Sequence, residues 1–185
     1  MDRSVHIIRN DLEKLLSDSS RRTADIAVNF IGNDPNLFKT LVDFALEDRD
    51  RYAMRAARVI NLVSLKHPEL IRPYLPGMVR RLPSIRNDGL KRGIAKTISE
   101  RSPDFDEEVM GILINTCFDW LSDPQEKIAL KVYSMEILYR LSHFYPDLKQ
   151  ELITSIELQI PGASTGVKSR GRKYLSKLYS ETARS

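Results

Sequence analysis

Few side chains in this sequence could perform acid–base or metal chemistry. His6 has no second ligand at a metal-binding spacing, and neither His-Glu-x-x-His nor Cys-x-x-Cys occurs. We expect His67 and His143 to lie at the ends of second helices, where an imidazole interacts with the helix C-terminus. The acidic run Asp106–Glu108 could supply a general acid or base, but acidic residues at a helix start more often balance the helix dipole. The residue types therefore predict no metal site, no cofactor and no enzyme activity.

Basic side chains give a stronger signal. The densest cluster lies near the C-terminus, where Lys168, Arg170, Arg172 and Lys173 are close in sequence and Lys177 follows. Such a cluster attracts phosphates or carboxylates. It is equally typical of the polar cap on the last helix of a repeat array. The choice between these interpretations depends on the elements that carry the residues.

Hydrophobic periodicity predicts helices throughout the chain. Apolar residues recur at intervals of three and four in residues 5–16 and again in residues 37–45, and this spacing forms one apolar stripe per helix. No apolar run alternates with a period of two for long enough to indicate a strand. The expected fold class is therefore all-α.

Prolines indicate where helices begin. Asp34-Pro35, Ser102-Pro103 and Asp123-Pro124 each place a capping side chain before a proline that fits the first helical turn. Pro73 and Pro76 fall inside a helical pattern instead, where a residue without an N–H bends or shortens the helix. We therefore expect helix starts at the first three sites and a kinked helix at the last two prolines.

One short pattern occurs three times: an apolar residue, Ser, three variable residues, Pro, an acidic residue and another apolar residue. The copies are residues 63–70, 98–105 and 141–148. A unit that recurs every few tens of residues is typical of stacked helix pairs that bury their apolar faces on one another. We expect a single domain over residues 1–185 with five antiparallel helix pairs, at residues 3–32, 36–66, 69–101, 105–144 and 147–180.

The second helices of the later pairs place a basic residue before small or apolar ones, in Met54-Arg55-Ala56-Ala57, Leu90-Lys91-Arg92-Gly93, Leu130-Lys131-Val132 and Val167-Lys168-Ser169. With helix pairs of this length and a proline that opens or kinks the first helix, residues 35–180 resemble the HEAT/armadillo-like repeat superfamily. The resemblance implies a right-handed α-α superhelix, a solenoid whose second helices line the concave face. It also implies binding of a partner rather than a reaction.

Basic residues concentrate on these second helices. Residues 50–67, 86–101, 125–143 and 168–184 together hold 18 basic and six acidic residues, a net charge of +12, whereas the rest of the chain carries −8. Like charges on a curved surface add their potentials and attract an oppositely charged partner. We predict a basic groove for an acidic protein or peptide, with these candidate residues: Arg55, Arg58, Lys91, Arg92, Lys96, Lys131, Lys168, Arg170, Arg172 and Lys173.

Two other interpretations of the basic residues stay open. Lysine and arginine often decorate the solvated face of amphipathic helices without binding a partner. A basic groove could also bind nucleic acid, because the DNA alkylation repair glycosylases are HEAT-like and place basic second helices against a duplex. We find no position-by-position match to the catalytic residues of those enzymes. Non-catalytic protein binding is therefore the leading hypothesis, and nucleic-acid binding is the alternative.

Composition is that of an ordinary globular protein. The 185 residues include 29% charged and 42% hydrophobic ones, with a net charge of +4. Cys117 is the one cysteine, so no internal disulfide can form. We expect its side chain to be buried, and we expect the protein to occupy a reducing compartment. The sequence has neither the pattern of a secretory signal nor an apolar run of membrane-spanning length. We therefore expect a cytoplasmic protein without a membrane partner.

Overall fold

The described part of the chain is all-α. A computed structural model describes residues 3–101 and 104–183 and contains helices but no strand within those ranges, which confirms the expected fold class. Two short 3-10 helices accompany the α-helices, at Arg72–Tyr74 and Leu82–Ser84. The α-helices are α1 (Arg3–Leu15), α2 (Arg21–Ile31), α3 (Pro35–Leu46), α4 (Asp50–Lys66), α5 (Pro68–Ile71), α6 (Leu75–Arg81), α7 (Asp88–Ser99), α8 (Glu107–Ser122), α9 (Ile128–Leu141), α10 (Leu148–Gln159) and α11 (Thr165–Thr182).

The helices form two compact units, unit 1 at Met1–Thr97 and unit 2 at Ile98–Ser185. In unit 1, α3 packs on α4, α1 packs on α3, and α2 packs on α4. In unit 2, α8 packs on α9, α8 also packs on α10, and α9 packs on α11. Each unit therefore has two layers, one of first helices and one of second helices, with the apolar core between them. The single domain over residues 1–185 stays a prediction.

Capping side chains account for some helix starts and not for others. Asp34 Oδ1 accepts the N–H groups of Asn36 at 2.7 Å and Leu37 at 3.1 Å, and Pro35 is the first residue of α3, so this predicted start is confirmed. The predicted start at Asp123-Pro124 is wrong. Asp123 follows the end of α8, its Oδ1 accepts the N–H of Gln125 at 2.8 Å in a turn, and α9 begins only at Ile128. Ser102-Pro103 lies outside the described residues.

The kink predicted from Pro73 and Pro76 is confirmed. The first helix of the third pair is divided into α5, a 3-10 turn that contains Pro73, and α6, in which Pro76 lies in the first turn. A proline ring at these positions removes one backbone donor and clashes with the preceding turn of a regular helix. The helix is therefore interrupted by a 3-10 turn, with no loop between its parts.

The serine of the repeated sequence pattern has the same structural role in two of its copies. Ser64 and Ser142 are both buried, and each Oγ donates to the carbonyl oxygen three residues earlier, that of Asn61 at 3.0 Å and that of Tyr139 at 2.8 Å. Such a bond lets a hydroxyl near the end of a second helix donate within its own helix. The repeated pattern thus marks a repeated local structure.

Hydrogen bonds between helix pairs show the period of the repeat directly. Arg9 binds Glu47, Asn61 binds Thr97, and Tyr139 binds Glu181, across 38, 36 and 42 residues of sequence. Equivalent positions of successive pairs therefore contact one another, as in stacked repeats, where each repeat touches only its neighbours. This agrees with the intervals of 33, 35 and 43 residues between the prolines at 35, 68, 103 and 146.

Helices α4 and α7 approach closely because α7 has glycine at the contact. A Cβ atom on Gly93 would lie 2.5 Å from the Cβ of Ala57, and one on Gly89 would lie 2.4 Å from Met54 Cγ. One turn beyond Gly93, Asn61 Nδ2 donates to Thr97 Oγ1 at 3.3 Å. The contact positions increase together along both helices, so α4 and α7 run parallel.

Replacing Gly93 with alanine is expected to lower the free energy of unfolding by about 1–3 kcal/mol, because the added methyl overpacks the α4–α7 contact. Alanine in a free helix position would instead stabilise the protein by up to about 1 kcal/mol. Gly111 in α8 is the matched control, since a Cβ there meets no atom within 4 Å. Urea unfolding of both variants should show changes of opposite sign. A stabilised Gly93→Ala variant would contradict the close contact.

Candidate interaction surface

The second helices, each of which has one solvent-facing side, carry most of the excess positive charge. We call this side the second-helix surface, formed in unit 1 by α2, α4 and α7 and in unit 2 by α9 and α11. These five helices contain 16 basic and five acidic residues. The first helices, including the segments between Pro68 and Ser84, contain eight basic and nine acidic residues. Charge therefore differs between the two layers, and much of the acidic charge lies in α8 and in the connections.

Two of the candidate arginines are anchored to the backbone of the preceding pair. Arg55 Nη1 donates to the carbonyl oxygens of Leu16 at 2.8 Å and Ser17 at 2.6 Å, and Arg58 Nη1 donates to that of Ser19 at 2.9 Å. These carbonyls follow the end of α1, where a positive charge is favourable. Arg55 is half-buried, whereas Arg58 is exposed and presents the rest of its guanidinium to solvent.

Arg58 and Arg92 lie on the same side of the α4–α7 layer. Ala57 and Gly93 meet at the contact between these parallel helices. Successive helical residues are rotated by about 100°, so the residue after Ala57 and the residue before Gly93 turn toward one common side. Both side chains are exposed. Helix geometry therefore places two candidates from separate helices on one solvent-facing side of this layer.

The other candidates on α7 are less accessible. Lys91 and Lys96 are both half-buried, and Lys96 already interacts with another residue. Their aliphatic stems can pack on the helix while the ammonium groups remain near solvent. Arg92 is thus the most exposed of the three candidates on this helix.

Lys131 does not lie on the second-helix surface. Its side chain is buried, with 7% of the residue exposed, and its Nζ lies 3.4 Å from Gln159 Oε1 of α10. Helix α9 packs against α8, α10 and α11, so its buried face is wide enough to cover this lysine. A partner outside the protein cannot reach it, and we leave Lys131 out of the surface proposed below.

The C-terminal basic cluster lies on α11 with unequal exposure. Lys168 and Arg170 are half-buried, whereas Arg172 and Lys173 are exposed. Tyr174 directly follows this cluster in sequence. Its side chain is 1% exposed and donates its hydroxyl to Glu136 of α9. The cluster is therefore part of a packed helix.

A buried tyrosine, a half-buried tyrosine and two glutamates join α9 to α11. Burial raises the pKa of Tyr174, and its hydrogen bond to Glu136 raises it further. Burial also raises the pKa of Tyr139 to about 12, assisted by its hydrogen bond to Glu181 at 2.6 Å. Burial alone would raise the pKa of Glu136, but hydrogen bonds from Tyr174 and Arg140 and the charges of Arg140 and Arg170 outweigh it and lower that pKa. These interactions keep the carboxylate of Glu136 ionised although it is partly buried.

Arg140 is a surface residue that sequence reasoning missed. The rings of Tyr139 and Tyr174 lie 5.1 Å apart, so these residues occupy the α9–α11 contact as Ala57 and Gly93 occupy the α4–α7 contact. The contacts of α9 with α11 increase together from Glu136–Tyr174 to Tyr139–Glu181, so these two helices also run parallel. Arg140 follows one contact residue and Lys173 precedes the other, and the same rotation of about 100° turns both toward one side. The signal that could have found Arg140 is its position directly after a contact residue of a second helix.

The described residues show no other arrangement of reactive groups. Among them, no three His, Cys, Asp or Glu side chains are placed to hold a metal ion, and no helix is long and apolar enough to cross a membrane. Cys117 is fully buried, as expected. His67 and His143 lie at the ends of α4 and α9 beside single carboxylates, those of Glu69 and Glu181.

Stacked helix pairs, with contacts that repeat at the interval of one pair, define a helical repeat protein. A family model described as a HEAT repeat domain matches residues 11–178. The chain belongs to this HEAT repeat family. A search of curated proteins and a search of solved structures found no match. HEAT repeat domains are typically non-catalytic scaffolds that mediate protein interactions.

Proposed function

We propose that this HEAT repeat protein is a non-catalytic scaffold whose second-helix surface binds an acidic segment of a protein partner. The observation that carries the proposal is the placement of Arg58 and Arg92 on one side of the α4–α7 layer, both exposed. Two cations on one side of the layer can each attract a carboxylate, and charge-assisted hydrogen bonds are the stronger kind.

The surrounding sequence supports an anionic partner. Between Arg51 and Lys66 on α4, and between Gly89 and Ser99 on α7, no acidic residue occurs. A partner's carboxylates would therefore meet no like charge along these two stretches. Electrostatic attraction of this kind increases the rate of association more than the final affinity.

Unit 2 offers a second basic place of the same kind. Arg140 and Lys173 turn toward one side of the α9–α11 contact, although Arg140 Nε also pairs with Glu136 at 2.9 Å. Arg172 is also exposed on α11, and this place supports contact with an acidic partner independently of unit 1. The candidates retained for the proposal are Arg55, Arg58, Lys91, Arg92, Lys96, Lys168, Arg170, Arg172 and Lys173, with Arg140 added.

The proposal is tested by binding of a labelled oligoglutamate peptide, followed by fluorescence anisotropy. Arg92→Glu is expected to weaken binding about tenfold, because an exposed ion pair contributes up to about 1 kcal/mol and the reversal replaces attraction with repulsion. Lys14→Glu is the matched control: it makes the same change of net charge on α1, where Lys14 is exposed. The affinity of Lys14→Glu for the peptide should stay within about twofold of that of the unmodified protein.

Two outcomes would contradict the proposal. Equal loss of binding in Arg92→Glu and Lys14→Glu would show that only net charge matters. Tighter binding of duplex DNA or RNA than of the acidic peptide would favour the nucleic-acid alternative, in which basic helices contact phosphates.

A further inference from the structure

The solvent-facing stripe of α4 changes from basic to apolar along the helix. Arg51, Arg55 and Arg58 occupy its N-terminal part, and Leu62 and Leu65 continue it at the same spacing of three and four residues. Leu65 is 55% exposed. Single exposed leucines are common on protein surfaces, so the position of Leu65 beside the arginines is the informative feature.

Leu65 points to the same side of the α4–α7 layer as the two arginines. Leu65 lies eight residues after Ala57, the residue that faces α7. Eight steps of about 100° amount to two full turns and about 80°, whereas Arg58 is one step, about 100°, from Ala57. The two side chains therefore point in similar directions. Leu65 lies seven positions after Arg58, which corresponds to about 10 Å along the helix axis. Arg92 reaches this side from α7. The side therefore has two guanidinium groups at one end and an exposed leucine at the other.

We propose that this side of unit 1 binds an acidic amphipathic segment of a partner protein, with its carboxylates on Arg58 and Arg92 and an apolar side chain on Leu65. The inference rests on the proposed function and names the chemistry of the partner. Charge complementarity favours carboxylates at the arginine end of this side, because α4 and α7 contain no acidic residue between their first turns and their C-terminal ends. The apolar end supplies burial that a purely polar ligand would lack.

A nucleic acid would satisfy only part of this surface. Its phosphates could contact the arginines, but its backbone would leave Leu65 facing a charged and hydrated chain. A peptide with an apolar residue about 10 Å from its carboxylates would cover both ends at once, because that distance corresponds to about two helical turns or about three extended residues. The observations therefore favour a protein segment.

The test uses two labelled peptides of equal charge, one with a run of glutamates followed by two leucines and the other with serines in place of the leucines. The leucine peptide is expected to bind the unmodified protein about tenfold more tightly, as partial burial of a leucine allows. Leu65→Ser should abolish this preference. Leu158→Ser is the matched control, since Leu158 is 74% exposed on α10 in unit 2, and it should leave the preference intact.

The outcomes separate this inference from the proposed function. If the two peptides bind equally while Arg92→Glu weakens both, the apolar contact is absent and the inference is overturned, although the acidic surface stands. If neither peptide binds, the proposed function fails and the inference fails with it. If duplex DNA displaces the leucine peptide at a lower concentration than the unlabelled peptide does, the surface binds nucleic acid instead.

Discussion

Tyr174→Phe is expected to lower the free energy of unfolding by about 1.5–3 kcal/mol, the range for a hydrogen bond to a charged group. Tyr174 is 1% exposed, and its hydroxyl donates to Glu136. Loss of the hydroxyl leaves a half-buried carboxylate with one donor fewer, and water cannot easily replace it. Urea unfolding followed by circular dichroism measures the change.

Tyr179→Phe provides the control on the same helix. Tyr179 also donates its hydroxyl to a glutamate, Glu157, but it is 45% exposed. Water replaces the lost bond there, so we expect no measurable change in the free energy of unfolding. Equal effects of the two substitutions would show that the α9–α11 network does not stabilise the protein.

The same network predicts a dependence on pH. The pKa of Glu136 is lowered in the folded protein, so its contribution is present above the unfolded pKa and is lost as the pH falls through the folded value. Stability should therefore decrease below about pH 4.5. The decrease should be smaller in Tyr174→Phe, because that variant lacks one of the bonds that lower the pKa.

Cys117 in the folded protein is expected to react with iodoacetamide about a thousandfold more slowly than in the unfolded chain at pH 8.5. Burial raises the pKa of its thiol to about 12. At pH 8.5 about half of an unfolded thiol is ionised, whereas fewer than about one in a thousand folded molecules carry the reactive thiolate. Labelling followed by mass spectrometry measures both rates.

The raised thiol pKa also has a thermodynamic consequence. The folded state binds the proton more tightly, so this contribution to stability is present below the unfolded pKa of about 8.5 and is lost as the pH rises toward 12. Cys117→Ala lacks the titrating group and should lose less stability between pH 8.5 and 10. Rapid labelling of the folded protein at pH 8.5 would contradict the burial of Cys117.

Local signals in the sequence predicted the helices because each depends on neighbouring residues. Asp34 caps the turn that follows it, and Pro73 and Pro76 disturb only their own helix. The helix start predicted at Asp123-Pro124 was wrong because an aspartate before a proline caps a turn as readily as a helix. Asp48 was missed for the opposite reason. Its backbone has φ 56°, and its carboxylate accepts the N–H groups of Arg86 and Asn87, which are distant in sequence.

The candidate surface was predictable in composition but not in geometry. Counting charges on second helices pointed to Arg58 and Arg92, yet their common direction depends on the contact between Ala57 and Gly93. Lys131 has the same local sequence pattern as the other candidates. It is buried because α9 has neighbours on several sides, and a single helix does not reveal how many helices surround it.

Salt dependence of acidic-peptide binding tests the central claim most directly. We expect the oligoglutamate peptide to lose at least about tenfold in affinity between low salt, where the Debye length is about 30 Å, and physiological salt, where it is about 8 Å. Arg92→Gln should flatten this dependence, because one of the attracting charges is removed. No binding at low salt, or binding that does not change with salt, would contradict a basic second-helix surface that holds an acidic partner.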